Sequence, residues 1–177
     1  MIVTGLPATG KTTVAKRISE EFGIPLYSKD LFKESLFDSL GYSDRDWSKR
    51  LGAAAYEILF AVVEAEVSAG RSVIAESNFG PDSTLRFLDM KVRFVQVLCH
   101  ARGDLVFERF ADRAWRGDRH PGHVDADNVE EFKSELHRGR IDPLELSGPV
   151  IEVDTTDFDA IDFVAIHDQL KSQLELK

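Results

Sequence analysis

The sequence predicts an α/β protein in which helices cover both faces of an open parallel sheet. Five short apolar segments alternate with segments of helical periodicity along the chain, which is the pattern that parallel strands with crossover helices produce. The segment from Ser72 to Glu76 has three consecutive apolar residues, as strands that are buried on both faces do. With 177 residues, the chain folds most simply as one domain, so we expect residues 1–177 to form a single domain.

The first predicted strand, at Ile2 and Val3, leads into a glycine-rich loop. From Gly5 to Thr12 the chain matches the phosphate-binding motif G-x-x-x-x-G-K-[ST] without a departure. A helical repeat follows from Thr13 to Phe22, and Gly23 ends it. Because this motif requires a strand before the loop and a helix after it, the sequence predicts a nucleoside triphosphate site.

The chemistry of this loop depends on its backbone. Gly5 and Gly10 can take backbone angles closed to other residues, so that successive N–H groups turn toward a phosphate. Lys11 is expected to reach the outer phosphates, and the hydroxyl of Thr12 is placed to bind Mg²⁺. The positive end of the following helix faces the same anion. We expect the nucleotide to contact Gly5, Leu6, Pro7, Ala8, Thr9, Gly10, Lys11, Thr12 and Thr13.

The remaining elements follow the same two periodicities. Amphipathic segments that end at glycines predict helices, and short runs rich in Val and Ile predict strands. In chain order we expect a strand within 23–30, helices over 31–40 and 43–70, a strand over 72–76, a short helix over 83–90, a strand over 93–99, a helix over 104–116, a loop over 117–125, a helix capped by Asn128, a strand over 149–153 and a last helix from Phe158 to Leu174.

Polar side chains follow the second and third predicted strands. Asp30, Glu76 and Asn78 stand at strand ends, and ligands of open parallel sheets bind at the carboxyl ends of the strands. Asp30 is a candidate for the base or for a group that grips a substrate hydroxyl, and Glu76 is a candidate for holding Mg²⁺ through water. These two roles could be exchanged. Asp30 could equally be an ordinary helix cap, Glu76 a solvated strand end, and Asn78 a turn residue rather than a substrate contact.

Arginines are concentrated in the second half of the chain. Arg109, Arg113 and Arg116 lie at spacings of four and three residues, on one face of a predicted helix, and Arg119 lies just beyond. Clustered guanidinium groups repel one another unless an anion lies between them, and a triphosphate supplies that anion. A solvated face paired with nearby carboxylates is the alternative. The helix leads into a loop rich in Gly, Pro and His, so we expect a lid over about residues 109–127 that excludes water.

His120, His123 and Asp125 form the pattern His-x-x-His-x-Asp within this loop. A zinc site is not favoured, because structural zinc sites need a rigid frame and usually cysteine ligands. Contacts of the lid with phosphate, or surface exposure, are the preferred interpretations.

Composition restricts the class of protein. A net charge of −9, from 31 acidic and 22 basic residues, disfavours nucleic acid as a partner because a polyanion would be repelled. The single cysteine, Cys99, lies in an apolar run and is expected in the core. The sequence contains no uncharged apolar segment of 18 or more residues, so we expect a cytoplasmic protein without a membrane partner. It leaves open whether the protein is a monomer or a homodimer.

These motifs together resemble the small P-loop kinases of the AAA_33 type, which include gluconate kinase, chloramphenicol phosphotransferase, zeta toxins and the kinase domain of polynucleotide kinase. The resemblance covers nearly the whole chain. It rests on the loop from Gly5 to Thr13, on Ser28-x-Asp30-x-x-Lys33, on the segment from Val73 to Phe79, and on the arginine helix that leads to Arg119-His-Pro-Gly-His123.

The resemblance implies a P-loop NTPase fold of three layers with strand order 2-3-1-4-5. It places Asp30 where these kinases have the aspartate that activates the acceptor hydroxyl, with Lys33 and Asn78 as further substrate contacts. Arginines of the lid, including Arg109, would clamp the phosphates of ATP or cover the adenine, and the loop that contains Thr155 would lie beside the base. The acceptor would bind to the helices at about residues 31–70, where no specificity motif names it.

The leading hypothesis is therefore a kinase that uses ATP and Mg²⁺ to phosphorylate a hydroxyl of a small molecule, with Lys11, Asp30, Arg113 and Arg116 as the catalytic set. A polynucleotide 5′-hydroxyl kinase, or a toxin that acts on a nucleotide sugar, is an alternative within the same fold. A nucleotide-dependent switch or ATPase without an acceptor is a third possibility. Asp38 to Gly41 matches D-x-x-G, but no Asn-Lys-x-Asp motif exists in the chain, so guanine specificity is not expected.

Overall fold

The structure, a computed structural model, describes residues 1–117, 119–126 and 129–174. Its strands and helices alternate as the sequence predicts. In chain order they are β1 (Ile2–Thr4), α1 (Lys11–Phe22), β2 (Leu26–Ser28), α2 (Lys29–Leu40), α3 (Arg45–Ser68), β3 (Ile74–Glu76), α4 (Asp82–Asp89), β4 (Gln96–His100), α5 (Gly103–Arg116), α6 (Val129–Leu136), β5 (Val150–Asp154) and α7 (Phe163–Leu174). Short 3₁₀ turns lie at Pro121–His123 and Phe158–Ala160.

The five strands form one parallel sheet in the order β2-β3-β1-β4-β5. This confirms the predicted fold class and strand order. The first strand lies at the centre, where Val3 is opposite Glu76 of β3 and Val97 of β4. The carboxyl ends of β1, β2 and β3 therefore meet at one edge, from which the loop of residues 5–10 departs.

Each face of the sheet is covered by helices because neighbouring strand residues point to opposite sides. Val3 packs with Val14 of α1 and Leu170 of α7, in one buried cluster. Its neighbour Ile2 packs in a second cluster, with Leu59 of α3. A third cluster joins α5 and α6 to the phosphate-binding loop through Leu6. Buried side chains on both faces of the central strand thus hold the phosphate-binding loop in place.

Several predicted boundaries were wrong by a few residues. The third and fourth strands begin at Ile74 and Gln96 rather than Ser72 and Arg93, because the short central strand limits how far its neighbours can pair. Asp44, not Ser43, caps α3, since its carboxylate accepts a hydrogen bond from the N–H of Trp47 at 2.8 Å. The predicted cap Asn128 lies outside the described residues.

The last helix also begins later than predicted. Phe158 lies in a 3₁₀ turn. The residue before this turn, Asp157, caps it by accepting a hydrogen bond from the N–H of Asp159. Ile161 is extended, and Asp162 then accepts a hydrogen bond from the N–H of Ala165 in the first turn of α7. This turn brings Phe158 next to the phosphate-binding loop instead of into the helix. Within the described ranges, none of the helices is long and apolar enough to cross a membrane.

A buried glutamine fixes the connection between α6 and β5. The side chain of Gln96 is buried in the sheet and donates to the carbonyl oxygen of Leu144 at 3.0 Å. It also accepts a hydrogen bond from the N–H of Leu144 at 2.9 Å. The N–H of Leu144 thus depends on one side chain for its hydrogen bond, whereas its carbonyl oxygen also accepts from the N–H of Leu146 at 2.7 Å.

Replacing this glutamine tests that contact. We expect Gln96→Leu to lower the free energy of unfolding by about 1–3 kcal/mol, because the buried N–H of Leu144 loses its partner and the carbonyl oxygen loses one of its two donors. The same change at the exposed Gln173 should cost less than about 0.5 kcal/mol. Urea denaturation of both variants measures the difference, and equal effects would show that the Gln96 contact does not stabilise the fold.

Candidate functional site

A cleft of about 500 Å³ opens at the carboxyl edge of β1, β2 and β3. The phosphate-binding loop forms its floor, while α2 and the end of β3 form one wall. The side chains of α5 and of residues 119–125 form the other wall. The sequence predicted this convergence, and the predicted residues that line the cleft are Pro7, Ala8, Gly10, Lys11, Thr12, Thr13, Asp30, Lys33, Glu76, Asn78, Arg109, Arg113 and Arg119.

The loop needs its glycines for space as well as for backbone angle. Gly5 and Gly10 have φ values of 147° and 76°, in the region that favours glycine. A Cβ on Gly5 would lie 2.2 Å from the carbonyl oxygen of Cys99, and one on Gly10 would lie 2.5 Å from the ring of Phe158. The loop is therefore pressed between β4 and the Phe158 turn. Ala8 also has a positive φ, of 64°, which is a strained angle for a residue with a Cβ.

Lys11 crosses the inside of the loop. Its ammonium group donates to the carbonyl oxygen of Leu6 at 2.8 Å, and the side chain is nearly buried. Burial lowers the pKa of Lys11, against the opposing effect of Glu76 and Asp30. The charge thus lies at the centre of the loop, within reach of an anion that the backbone N–H groups would hold.

Four of the predicted nucleotide contacts do not line the cleft: Gly5, Leu6, Thr9 and Thr155. Leu6 is 1% exposed and Thr9 is fully buried. Thr155, predicted beside the base, is also fully buried. Its hydroxyl donates to the carbonyl oxygens of Thr9 at 2.8 Å and of His100 at 3.0 Å. Thr155 therefore supports the loop from behind, and the prediction of a direct contact has to be corrected.

Glu76 is the last residue of β3 and is only 4% exposed. Its carboxylate accepts hydrogen bonds from the hydroxyls of Ser28 at 2.6 Å and Thr12 at 3.3 Å. No cation of the described residues lies within ion-pair distance of it, although buried carboxylates normally have a cationic partner. One carboxylate and two hydroxyls form an oxygen set of the kind that Mg²⁺ prefers, so these residues fit the predicted ion.

Asp30 does not cap a helix. Ser28 occupies the N-cap position of α2 without a side-chain cap, whereas Asp30 in the first turn pairs with Lys29 at 2.8 Å and with Arg119. Burial alone would raise the pKa of Asp30, but Arg119 and then Lys29 outweigh it and hold the pKa well below its usual range. The carboxylate is therefore ionised, and its side chain is 41% exposed at the cleft.

The arginines of α5 differ in their surroundings. Arg109 donates to the carbonyl oxygens of Thr155 at 3.0 Å and Thr156 at 3.1 Å, and its guanidinium lies 4.7 Å from the centre of the Phe158 ring. Arg113 points into the cleft, and its buried Nε and Nη2 atoms have no hydrogen-bond partner among the described residues.

Arg116 is not brought into the cleft. Its side chain is 70% exposed and lies 3.4 Å from Asp112 on the same helix. The expectation that it faces the phosphates together with Arg109 and Arg113 is not met in this structure. Its position agrees instead with the alternative of a solvated, paired arginine.

The loop after α5 is docked on α2. His123 contacts Glu34 at 2.9 Å and His120 contacts Asp38 at 3.2 Å, while a Cβ on Gly122 would lie 2.6 Å from the ring of Phe37. Burial and then Arg119 lower the pKa of His123, so its imidazole is neutral. Among the residues that the structure describes, His120, His123 and Asp125 do not form a metal-binding group. Asp118 and Asp127 of the predicted lid lie outside the described residues.

Ser77, which follows the third strand and was expected at this edge, lines the cleft as predicted. Sequence reasoning missed Lys29, Arg45 and Phe132, which also line it, and the contact of Ser28 with Glu76. Lys29 and Ser28 flank Asp30, so the strand-end argument could have included them. Nothing local marks Arg45, because only the packing of α3 beside α2 and α6 brings it to the site.

The Thr155 bond gives a direct test of loop support. We expect Thr155→Val to raise the dissociation constant (KM in a kinetic assay) for nucleotide about 10-fold. The free energy of unfolding should fall by about 1–2 kcal/mol, because the carbonyl of Thr9 loses its partner. Thr84→Val is the matched control, since Thr84 makes no side-chain hydrogen bond to a described residue. Nucleotide titration and thermal denaturation measure both effects. An unchanged KM in Thr155→Val would mean that this bond does not set the loop's geometry.

Two comparisons with known proteins found matches that cover most of the chain. Residues 1–138 match the AAA_33 family, described as an AAA domain. A presumed kinase from Chloroflexus aurantiacus is 41% identical in sequence, with a TM-score of 0.87, over 97% of this chain and 96% of that protein. A comparison with curated proteins found no match.

Two more distant structures share the fold. A gluconokinase from Sinorhizobium meliloti is 15% identical with a TM-score of 0.57, over 99% of this chain and 93% of that one. A sugar kinase from Janibacter sp. is 16% identical with a TM-score of 0.56, also over 99% and 93%. At these identities the similarity concerns the fold alone.

Proposed function

We propose, from the premise that this chain belongs to the AAA_33 family of P-loop AAA domains, that it is a kinase that transfers the γ-phosphate of ATP to a hydroxyl of a small molecule. The observation that carries the proposal is the position of Asp30. An ionised carboxylate in the first turn of α2 lines the same cleft as the phosphate-binding loop. A protein that only hydrolysed nucleotide would not need a group that orients an alcohol there.

The phosphates of ATP would lie on the loop and at the start of α1. The backbone N–H groups of residues 5–13 and the ammonium of Lys11 would hold them, with the positive end of α1 behind. Two buried donor atoms of Arg113 have no hydrogen-bond partner among the described residues, and its nearest carboxylate, Asp125, lies 3.7 Å from Nη2, so Arg113 would bind the γ-phosphate in the transition state. The guanidinium of Arg109 lies over the ring of Phe158 and donates to two backbone carbonyl groups. In this position Arg109 would cover the base.

Thr12 and Glu76 would hold Mg²⁺, the first through its hydroxyl and the second directly or through water. The ion would neutralise charge on the phosphate oxygens as the bond to the leaving group breaks. Ser28 contributes by donating its hydrogen bond to Glu76, which fixes the orientation of the carboxylate.

Asp30 would accept a hydrogen bond from the acceptor hydroxyl and orient its oxygen toward the γ-phosphorus. Its lowered pKa makes it a weak base, and a loose transition state for phosphoryl transfer requires little proton removal before the bond forms. Orientation is therefore the main role that we assign to it. The segment of residues 119–125, docked on α2, would serve as the predicted lid and limit the access of water.

The proposal is tested by ADP formation in the presence of ATP, Mg²⁺ and a panel of hydroxyl compounds that includes sugars, sugar acids, nucleosides, antibiotics and 5′-hydroxyl oligonucleotides. A kinase requires that one small-molecule class raises turnover well above basal hydrolysis. Turnover raised only by the oligonucleotides would favour the polynucleotide alternative. Hydrolysis indifferent to every compound would favour a switch or ATPase.

The role of Asp30 has its own test. We expect Asp30→Asn to keep the affinity for ATP and to lower the rate of transfer by about 10²–10⁴-fold, because the neutral amide accepts the hydroxyl's hydrogen bond more weakly and cannot take its proton once the new P–O bond forms. Calorimetric ATP titration and steady-state kinetics measure the two quantities. Asp168→Asn, at an exposed position on α7, is the control. Parallel losses of ATP affinity and rate in Asp30→Asn would contradict the proposed role.

Replacing Arg113 and replacing Arg116 should have different effects on kcat. We expect Arg113→Ala to lower kcat about 10²–10³-fold with a smaller effect on ATP affinity, as loss of a transition-state contact does. Arg116→Ala should change kcat less than about 3-fold, because its side chain lies outside the cleft and exposed ion pairs are worth little. The same kinetic assay compares the pair, and equal losses would show that Arg116 acts at the phosphates after all.

A further inference from the structure

Lys33 is a buried cation without a carboxylate partner. It is 6% exposed, and its ammonium group donates to the hydroxyl of Ser48 at 2.9 Å. The same group lies 5.2 Å from the centre of the Phe37 ring. No carboxylate of the described part of the chain is within ion-pair distance of it, although buried charges are normally paired. Lys33 lines the cleft, and its ammonium group has donors left for an anion.

Arg45 presents a second unused donor close by. One end of its guanidinium lies 3.2 Å from Glu131, and the group lies over the ring of Phe132. Its Nε atom, however, is buried and has no hydrogen-bond partner among the described residues. Arg45 and Ser48 are three residues apart on α3, so they project from the same side of that helix toward Lys33.

The charges that line the cleft are out of balance. Among the lining residues that the structure describes, seven are lysine or arginine and three are carboxylates, in a chain whose net charge is −9. The carboxylates of Asp30 and Asp125 are both paired with Arg119, and Asp125 also lies 3.7 Å from Arg113. One end of Arg45 is paired with Glu131, so the donors still available to an anion are the ammonium of Lys33 and the Nε atom of Arg45.

Lys33 lies on α2 and Arg45 is the first residue of α3, whereas Lys11 lies at the phosphate-binding loop, at the start of α1. Asp30 lies in the first turn of α2, three residues before Lys33, and lines the same cleft. Burial, and then Lys29, lower the pKa of Lys33 to about 8, and a bound anion would offset that cost of holding the charge.

We propose that Lys33 and Arg45 form an anion subsite for the acceptor, so that the compound phosphorylated at Asp30 carries a carboxylate or a phosphate as well as its hydroxyl. This inference rests on the proposed kinase function. Asp30 and Lys33 are three residues apart on one face of α2, with Cβ atoms about 5–6 Å apart. A molecule of the size of a hydroxy acid or a sugar phosphate spans that distance, with its hydroxyl at Asp30 and its anionic group at Lys33.

Matched pairs of acceptors test the subsite and distinguish the two sources of the anion. Sugar acids are compared with the corresponding sugar alcohols, and sugar phosphates with the corresponding free sugars. We expect kcat/KM to be at least 10-fold higher for the anionic member of one pair. In Lys33→Met and Arg45→Met, the KM for that anionic acceptor should rise about 10- to 100-fold, as the loss of a charged hydrogen bond predicts.

Lys16→Met on the exposed side of α1 is the matched control and should keep the wild-type KM values. If neutral acceptors are phosphorylated as well as anionic ones, or if Lys33→Met raises the KM of both members of a pair equally, the subsite is overturned while the kinase function stands.

Binding without turnover separates this inference from the function on which it rests. Thermal shifts are measured in the presence of Mg²⁺ and a non-hydrolysable ATP analogue, with the same acceptor pairs. We expect a shift from the anionic member that is lost in Lys33→Met and kept in Lys16→Met. If this shift is found but no compound is phosphorylated, the subsite stands and the kinase function fails. If no anionic compound shifts the wild-type protein, the subsite is overturned.

Discussion

The site depends on how the phosphate-binding loop is seated between β1 and α1. Gly5 lies against the carbonyl of Cys99, and Gly10 lies against the ring of Phe158, at distances that leave no space for a Cβ. The Thr155 hydroxyl then ties the carbonyl of Thr9 to the end of β5. Since Thr155 also bonds to His100 at the end of β4, one residue joins the loop to the ends of two strands, β4 and β5. The loop's backbone N–H groups can converge on an anion only because this frame fixes them.

Electrostatics then divides the cleft into two ends. At the loop, the charge of Lys11 interacts with the buried carboxylate of Glu76, and two buried donors of Arg113 have no hydrogen-bond partner among the described residues. At the helices α2 and α3, the ammonium of Lys33 and the Nε atom of Arg45 have no carboxylate partner within the part of the chain that the structure describes. Asp30 stands between them and is held ionised by Lys29 and Arg119. A phosphoryl donor at one end and an anionic alcohol at the other would meet at this carboxylate, which is the geometry that transfer requires.

The sequence predicted the frame of the site better than its details. The loop from Gly5 to Thr13 and the strand-end residues Asp30 and Glu76 were found because strand ends of a parallel sheet must converge. The direction of a side chain depends on tertiary contacts instead. Helical spacing alone could not tell that Arg116 turns to solvent, and the burial of Thr155 depends on packing between distant segments.

The errors at Arg45 and Phe158 have the same cause, which is tertiary packing. Arg45 is the first residue of α3, and it belongs to the site only because α3 packs beside α2. Phe158 fitted the apolar repeat of the last helix, but Asp157 and Asp162 each favour a local cap over continued helix. A 3₁₀ turn results, and it places the aromatic ring against the loop. Both outcomes depend on contacts far apart in sequence.

The most direct test of the account is a calorimetric titration of ATP into the protein with and without Mg²⁺, using the wild type, Lys11→Ala and the surface control Lys16→Ala. We expect one nucleotide site per chain and tighter binding of ATP with Mg²⁺. Among the three proteins, only Lys11→Ala should lose affinity for ATP, on the order of 10- to 100-fold, because charged hydrogen bonds to phosphate are lost. Absence of ATP binding, or binding that is equal in the wild type and Lys11→Ala, would contradict the assignment of the cleft as a nucleotide site.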